Sequence, residues 1–211
     1  MQKSAKYFFL ILLLSFSFSA FASTFEIIHP LPEKVMKKMK KYSWHEGCPI
    51  SIEQLRLLQL SHLGYDNKIH QGELVVHQDV AEETLEIFKT LFSEGFQIEK
   101  MKLVDEYKGN DEESMNANNT SAFNCRVVTG KQNVFSKHSY GRAIDINPLT
   151  NPYVKGNLVL PKAGKKYRDR SQKQKGMILK NDSSYQAFTQ KNWIWGGNWN
   201  SLKDYQHFEK E

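Results

Sequence analysis

Two short stretches of this chain concentrate side chains able to hold a metal ion. The first reads Ser136-Lys137-His138-Ser139-Tyr140-Gly141-Arg142-Ala143-Ile144-Asp145, and the second Asp204-Tyr205-Gln206-His207-Phe208-Glu209. Residues 142–147 alternate apolar and polar and predict a strand stopped by Pro148. On such a strand Ala143, Asp145 and Asn147 share one face, while Ile144 and Ile146 point to the core. A carboxylate on a half-buried strand needs a partner. His138 can fold back toward Asp145 across the flexible Gly141, and His207 is a third ligand of suitable type. Two imidazoles, one carboxylate and one open position make a catalytic zinc site. Zinc lowers the pKa of a bound water to about 7. Asp204, three residues before His207, could sit in a turn beside that water as general base rather than on the metal. The alternative is plainer. His138 and Asp145 would be a hydrogen-bonded pair, and Asp204 and His207 a surface turn. His29, His45, His62, His70 and His77 have no comparable company and read as ordinary surface or strand residues.

The elements that must position these residues are mixed. Pro32 to Tyr42 predicts a short basic amphipathic helix. Leu55 to Leu63 predicts a strand ending at Gly64, and Glu73 to His77 a second. Asp79 is placed to cap a helix, with Glu82 three residues later in a capping-box arrangement. Ala81, Leu85, Phe88, Leu91 and Phe92 form its apolar stripe, and Gly95 ends it. Ile98 to Tyr107 alternates as a strand. The polar residues 108–122 predict a long loop, with Asn118, Asn119 and Thr120 as candidate substrate contacts. Lys155 to Gly176 is basic and aperiodic, which predicts a surface excursion. Ser183 to Lys191 predicts a helix, and Trp193 to Phe208 the last strands around Gly196-Gly197. Without a regular βαβ rhythm, the expectation is one α+β domain with a small antiparallel sheet carrying the metal site, flanked by helices.

Composition bounds the rest. The 211 residues are 40% hydrophobic and 25% charged, enough for a packed core. Lys3 and Lys6, the run Phe8 to Leu14 and the Ala20-Phe21-Ala22 cleavage pattern predict an export signal over residues 1–22. The mature domain would be residues 23–211, with net charge (29 − 2) − 23 = +4. Such a chain would be periplasmic or secreted, with no stable membrane span once the signal is removed. Its lysines are scattered and lack interleaved aromatics, so nucleic acid is not an expected partner, whereas anionic cell-wall polymers or an acidic peptide are. Lys37, Lys38, Lys40 and Lys41 on the first helix read as a solvated face. In an oxidising compartment Cys48 and Cys125 either form one disulfide, worth ~3–4 kcal/mol in the chain-entropy model, or remain two buried thiols.

The pattern S-x-H-x-x-G-x-A-x-D, followed by W-x-W-G-G-x-W and D-x-x-H-F, resembles the D-alanyl-D-alanine carboxypeptidase-like (VanY-type) zinc metallopeptidases. It looks closest to their L-alanyl-D-glutamate endopeptidase branch. The group also includes the hedgehog signalling domain. The resemblance spans roughly Gly47 to Phe208. It implies His138, Asp145 and His207 as zinc ligands and Asp204 as the catalytic acid/base. It implies Arg126 as the cation that steadies the oxyanion, although a salt bridge holding the polar loop is the competing role. Ser136 would orient substrate or a ligand, and Trp199 would line the cleft, while Trp193 and Trp195 read equally as core. The implied substrates are peptidoglycan stem peptides, cut internally or trimmed of terminal D-alanine. The alternative is a zinc-containing cell-wall-binding module of the same fold without turnover.

Overall fold

The computed structural model describes residues 23–128 and 131–211, and the expected signal segment at residues 1–22 lies outside them. Strand β1 (Phe25–Ile28) is followed by helix α1 (Glu33–Tyr42), strand β2 (Leu55–Leu63) and strand β3 (Ile69–His77). The three strands form an antiparallel sheet in the order β1-β2-β3. Strand β2 has the predicted bounds, because Leu55, Leu57, Leu58 and Leu60 must all be buried. Strand β3 begins four residues before the expected Glu73. Its first three residues, Ile69, His70 and Gln71, are exposed and show no apolar alternation, but a short connection pairs Ile69 with Leu63 and extends the ladder.

Helix α2 (Ala81–Ser93) buries Leu85, Ile87, Phe88 and Leu91 against this sheet and ends at Gly95, whose φ of 68° is left-handed. Asp79 does not cap it. Residues Gln78–Val80 form a 3-10 turn, and the Asp79 carboxylate pairs with the Arg142 guanidinium instead. The expected strand over 98–107 is only a two-residue strand, β4 (Lys100–Met101), followed by a 3-10 turn at Val104–Tyr107. The expected loop over 108–122 contains helix α3 (Asp111–Asn116) and strand β5 (Asn119–Thr120), which pairs parallel to β4. Asn110 starts α3 by accepting a hydrogen bond from Glu113 N at 3.1 Å, and three acidic residues fill the first turn.

The C-terminal half supplies β6 (Ala143–Asp145), β7 (Tyr153–Lys155), β8 (Leu158–Leu160), helix α4 (Ser183–Thr189), β9 (Ile194–Trp195), β10 (Lys203–Asp204) and β11 (His207–Glu209). They make two small antiparallel sheets, β6-β11-β9 and β10-β7-β8. The main core joins α2 and α4 to these strands, with the Phe188 and Phe208 rings stacked at 3.9 Å. The fold is thus the expected α+β domain with small antiparallel sheets. Strand β6 departs from its expected half-solvated state: Ala143, Asp145 and Asn147 are buried as fully as Ile144 and Ile146. Ser121 explains part of this, since it exchanges backbone hydrogen bonds with Asp145 across that edge.

Cys48 and Cys125 form a disulfide with Cα atoms 5.9 Å apart. It ties the loop after α1 to the segment Phe123-Asn124-Cys125-Arg126, where Cys125 N also donates to Ser43 O at 2.9 Å. Closing 77 residues of chain removes unfolded-state entropy. The double variant Cys48→Ser/Cys125→Ser is expected to lose up to about 4.5 kcal/mol in urea denaturation. An unchanged midpoint would contradict this reading. A second prediction concerns His62 on β2, whose Nδ1–H donates to Ile98 O at 3.0 Å. Burial pushes its pKa down to about 4 from an ordinary value of 6.5. The unfolded chain therefore binds the extra proton first. Stability from this ring is complete above pH 6.5 and is lost as the pH falls toward 4, by roughly 3 kcal/mol. His62→Gln should flatten the stability profile in that window; an unaltered acid slope would rule the explanation out.

Candidate metal centre

His138 lies in a single 3-10 turn, Lys137–Tyr140. Ser136 caps that turn, its Oγ accepting from His138 N at 3.3 Å. Gly141 then reverses the chain with φ +64° into β6; a Cβ there would lie 2.5 Å from His77 N. This close approach lets Gly141 O accept from His77 N at 2.9 Å, which locks the turn onto the end of β3. Asp145 ends β6, and the antiparallel register places His207 of β11 directly opposite it. A separation of 62 residues is thereby closed by one cross-strand pair.

The three side chains converge. His207 Nδ1 lies 2.9 Å from Asp145 Oδ1, His138 Nε2 lies 3.2 Å from Asp145 Oδ2, and the two ring nitrogens are 3.3 Å apart. All three residues are buried. Two outward hydrogen bonds set the imidazole tautomers. A carbonyl only accepts, so His138 Nδ1–H donates to Ala122 O at 2.6 Å. His207 Nε2–H donates to Glu209 Oε2 at 3.0 Å. In these neutral tautomers both inward nitrogens, His138 Nε2 and His207 Nδ1, offer lone pairs to the same point; without an ion, His207 Nδ1 holds a proton and donates it to Asp145 Oδ1. Donors on a tetrahedral zinc with bonds of about 2.0–2.1 Å sit about 3.3 Å apart, close to the spacings found here. The residues fit the ion by chemistry and by spacing.

The electrostatics demand a cation at the same point. Burial pushes the Asp145 carboxyl up, but the charge and hydrogen bonds of His138 and His207 outweigh it and hold it well below the usual carboxylate range. Burial pushes His207 down, yet its bonds to Asp145 and Glu209 win and raise it to about 10. The site thus takes up positive charge strongly, as a proton when no ion is bound. Asp204 stands beside it on β10, with its carboxyl raised to about 6, chiefly by burial. Its Oδ1 is buried without a hydrogen-bond partner. Gly196 permits this placement, because a Cβ there would come within 2.7 Å of Asp204 O and 3.4 Å of the His207 Cβ.

The other expected site residues separate. Trp199 lies over the site, its ring 5.5 Å from that of His207. Trp193 and Trp195 are core. Ser136 contacts the backbone of His138, so in this structure it positions the ligand turn. The Arg126 backbone brackets the same turn, donating to Ser139 Oγ at 2.8 Å and accepting from Ser136 N at 3.0 Å. Its guanidinium pairs with Asp111 Oδ2 on α3 at 2.9 Å, the salt-bridge arrangement weighed above. Asn118, Asn119 and Thr120 are buried and are not positioned as substrate contacts. Asn118 Oδ1 accepts from Leu149 N and Thr150 N, and Asn119 clasps both polar atoms of the Lys102 backbone. Glu209 was given no role from the sequence, although its i+2 spacing from His207 on a strand was a usable signal. Among the described residues a second metal-capable group, His45 with Cys48 and Cys125, has both sulfurs consumed by the disulfide.

Two buried imidazoles and a buried carboxylate, with Asp204 Oδ1 beside them lacking a hydrogen-bond partner, form a group able to hold a metal ion. Residues 129–210, which hold all four of these side chains, match the family model described as D-alanyl-D-alanine carboxypeptidase. The matched segment is 82 of the 211 residues, and the likeness is of that segment. No curated protein and no solved structure matches the chain.

The Glu209 contact generates a prediction of its own. Outer partners of metal-bound histidines typically set metal affinity by 10–100-fold. Glu209→Leu should weaken zinc binding by that factor in competition with a chromophoric chelator. Glu209→Gln, which keeps an acceptor oxygen for His207 Nε2–H, should restore much of it. Equal affinity in all three proteins would remove Glu209 from the account.

Proposed function

We propose that this protein is an exported zinc peptidase that hydrolyses an amide bond in peptidoglycan stem peptides. The observation that carries the reading is the unpaired, buried Asp204 Oδ1 beside three convergent metal donors. His138 Nε2, Asp145 and His207 Nδ1 would hold the ion. When bound, zinc acidifies a water ligand and polarises the scissile carbonyl. Asp204 accepts a proton from the attacking water and delivers it to the leaving amine; its raised pKa suits both halves of that task. The Trp199 ring walls the site next to His207 and restricts water there. Arg126 is the candidate for steadying the oxyanion, and in that role it exchanges Asp111 for the substrate. The family description favours removal of terminal D-alanine, whereas the sequence pattern resembles the internally cutting branch.

A non-catalytic binding module has no use for a proton acceptor, and the burial of Asp204 Oδ1 without a hydrogen-bond partner supports turnover. The test is digestion of defined muropeptides by the zinc-loaded protein, read by mass spectrometry. Asp204→Asn preserves shape and should lower kcat/KM by roughly 10²–10⁴-fold. Loss of one alanine marks a carboxypeptidase, and cleavage within the stem an endopeptidase. Undiminished hydrolysis by Asp204→Asn, or none by either protein, contradicts the proposal.

A further inference from the structure

Among the described residues a second group of three metal-capable side chains stands apart from the first. One ring nitrogen of His45 and the sulfurs of Cys48 and Cys125 lie within 4.8 Å of one another. The backbone around them is ordered for ligation. His45-Glu46-Gly47-Cys48 is a tight turn, closed by Cys48 N donating to His45 O at 3.1 Å. Gly47 takes φ +95°, a conformation that side-chain-bearing residues rarely adopt. The turn aims the His45 N–H at Cys48 Sγ, 3.2 Å away. Two residues between donors is the spacing of short zinc-binding turns. A backbone N–H on a sulfur also favours its charged form, the form that binds metal. A disulfide by itself needs neither the histidine nor that N–H.

The three donors are held together by more than the S–S bond. Cys125 N donates to Ser43 O at 2.9 Å, and Trp44 Nε1–H donates to Ile50 O at 3.2 Å. Trp44, Cys48 and Ile50 pack against the apolar cluster that contains Cys125, Leu55 and Phe123. Opening the disulfide therefore leaves both cysteines and the histidine in place. The two cysteine Cα atoms are 5.9 Å apart. From there, rotation about Cα–Cβ takes the sulfurs to the separation of about 3.7 Å that two thiolates have on a tetrahedral zinc with bonds of about 2.3 Å. His45 is exposed and Cys48 half-buried, which gives an ion a way in from solvent. The His45 ring makes one hydrogen bond among the described residues, Nδ1–H to Glu46 O at 2.8 Å, and it stays within the turn.

We propose that reduction of the Cys48–Cys125 disulfide creates a second zinc site, built from the two thiolates and the His45 imidazole with water in the fourth position. A dithiol supplies the electrons. Its thiolate bonds to the more accessible Cys48 Sγ, and the Cys48–Cys125 bond breaks with its electron pair on Cys125. The second sulfur of the reductant then displaces Cys48, the reductant leaves as a disulfide, and its two protons pass to the cysteines. Zinc binds both sulfurs and releases those protons. With the disulfide closed there is no thiolate and no second site. The consequence is mechanical. Cys125 lies between Asn124, whose N–H meets His138 O, and Arg126, whose N–H meets Ser139 Oγ. The tie from the loop after α1 thus reaches the first ligand turn, and the ion keeps it when the covalent link is open. This site goes beyond the peptidase reading and does not depend on hydrolysis.

The test uses zinc-loaded protein reduced with a water-soluble phosphine, freed of it under nitrogen and titrated with Co2+. Sulfur-to-cobalt charge transfer absorbs only when a thiolate is bound, so the sulfur-free first centre is silent. Reduced wild type should show the band, saturating at one Co2+ per chain, and added zinc should displace it. Oxidised protein should show none. His45→Ala, which removes a ligand, should bind more weakly by about tenfold or more. The oxidised variant should match the wild-type near-ultraviolet circular dichroism, because His45 is exposed. Zinc should also raise the urea midpoint of reduced wild type more than that of Cys48→Ser/Cys125→Ser. No charge-transfer band in the reduced protein, or equal affinity in His45→Ala, would overturn the proposal, because two loose thiols bind cobalt without the histidine.

Discussion

The structure turns on one cross-strand pair. Asp145 and His207 face each other in the β6–β11 ladder, and both are removed from water. A buried carboxylate is tolerated only with positive charge or hydrogen-bond donors at hand. His138 completes the ring around it. The outward bonds of both imidazoles, to Ala122 O and to Glu209, leave no proton in the middle except one borrowed by His207. A divalent ion relieves that deficit for all three groups at once. The surrounding features act on this point: the Ser136 cap, the Gly141 reversal and the close packing of Gly196 against Asp204 and His207.

Support for the site comes from far along the chain. The disulfide fixes Cys125, one residue after Asn124, whose N–H donates to His138 O at 3.3 Å. Phe123 N donates to Val75 O on β3, and Gly141 is fastened to the end of the same strand. The N-terminal sheet thus holds the first ligand turn from two sides. The small C-terminal sheets bring His207 and Asp204. Such short strands could not hold this geometry alone; the Phe188–Phe208–Trp195 stack backs β9 and β11, and β10 is held by its pairing with β7.

Much of this was legible in residue types and spacing. Strand β2 and helix α2 stood out because their apolar periods are strong, and the ligand motifs because they are compact. What stayed hidden was set by tertiary partners. The start of β3, Ile69 to Gln71, is exposed and follows only from pairing with β2. Asp79 looked like a helix cap until Arg142, 63 residues away, claimed its carboxylate. Asn118 to Thr120 looked like a substrate loop because buried and exposed asparagines read alike in sequence. Here they are internal hydrogen-bond staples. Glu209 lay within the motif itself, but its role depends on which imidazole nitrogen faces inward, and no sequence pattern reports a tautomer.

The most direct test of the central claim is X-ray absorption spectroscopy of the zinc-loaded protein, with metal content measured on the same sample. The account predicts one zinc per chain, a nitrogen and oxygen shell near 2.0 Å and the scattering signature of two imidazoles. Sulfur near 2.3 Å, which would place the ion at Cys48 and Cys125, or no retained zinc at all, would contradict it.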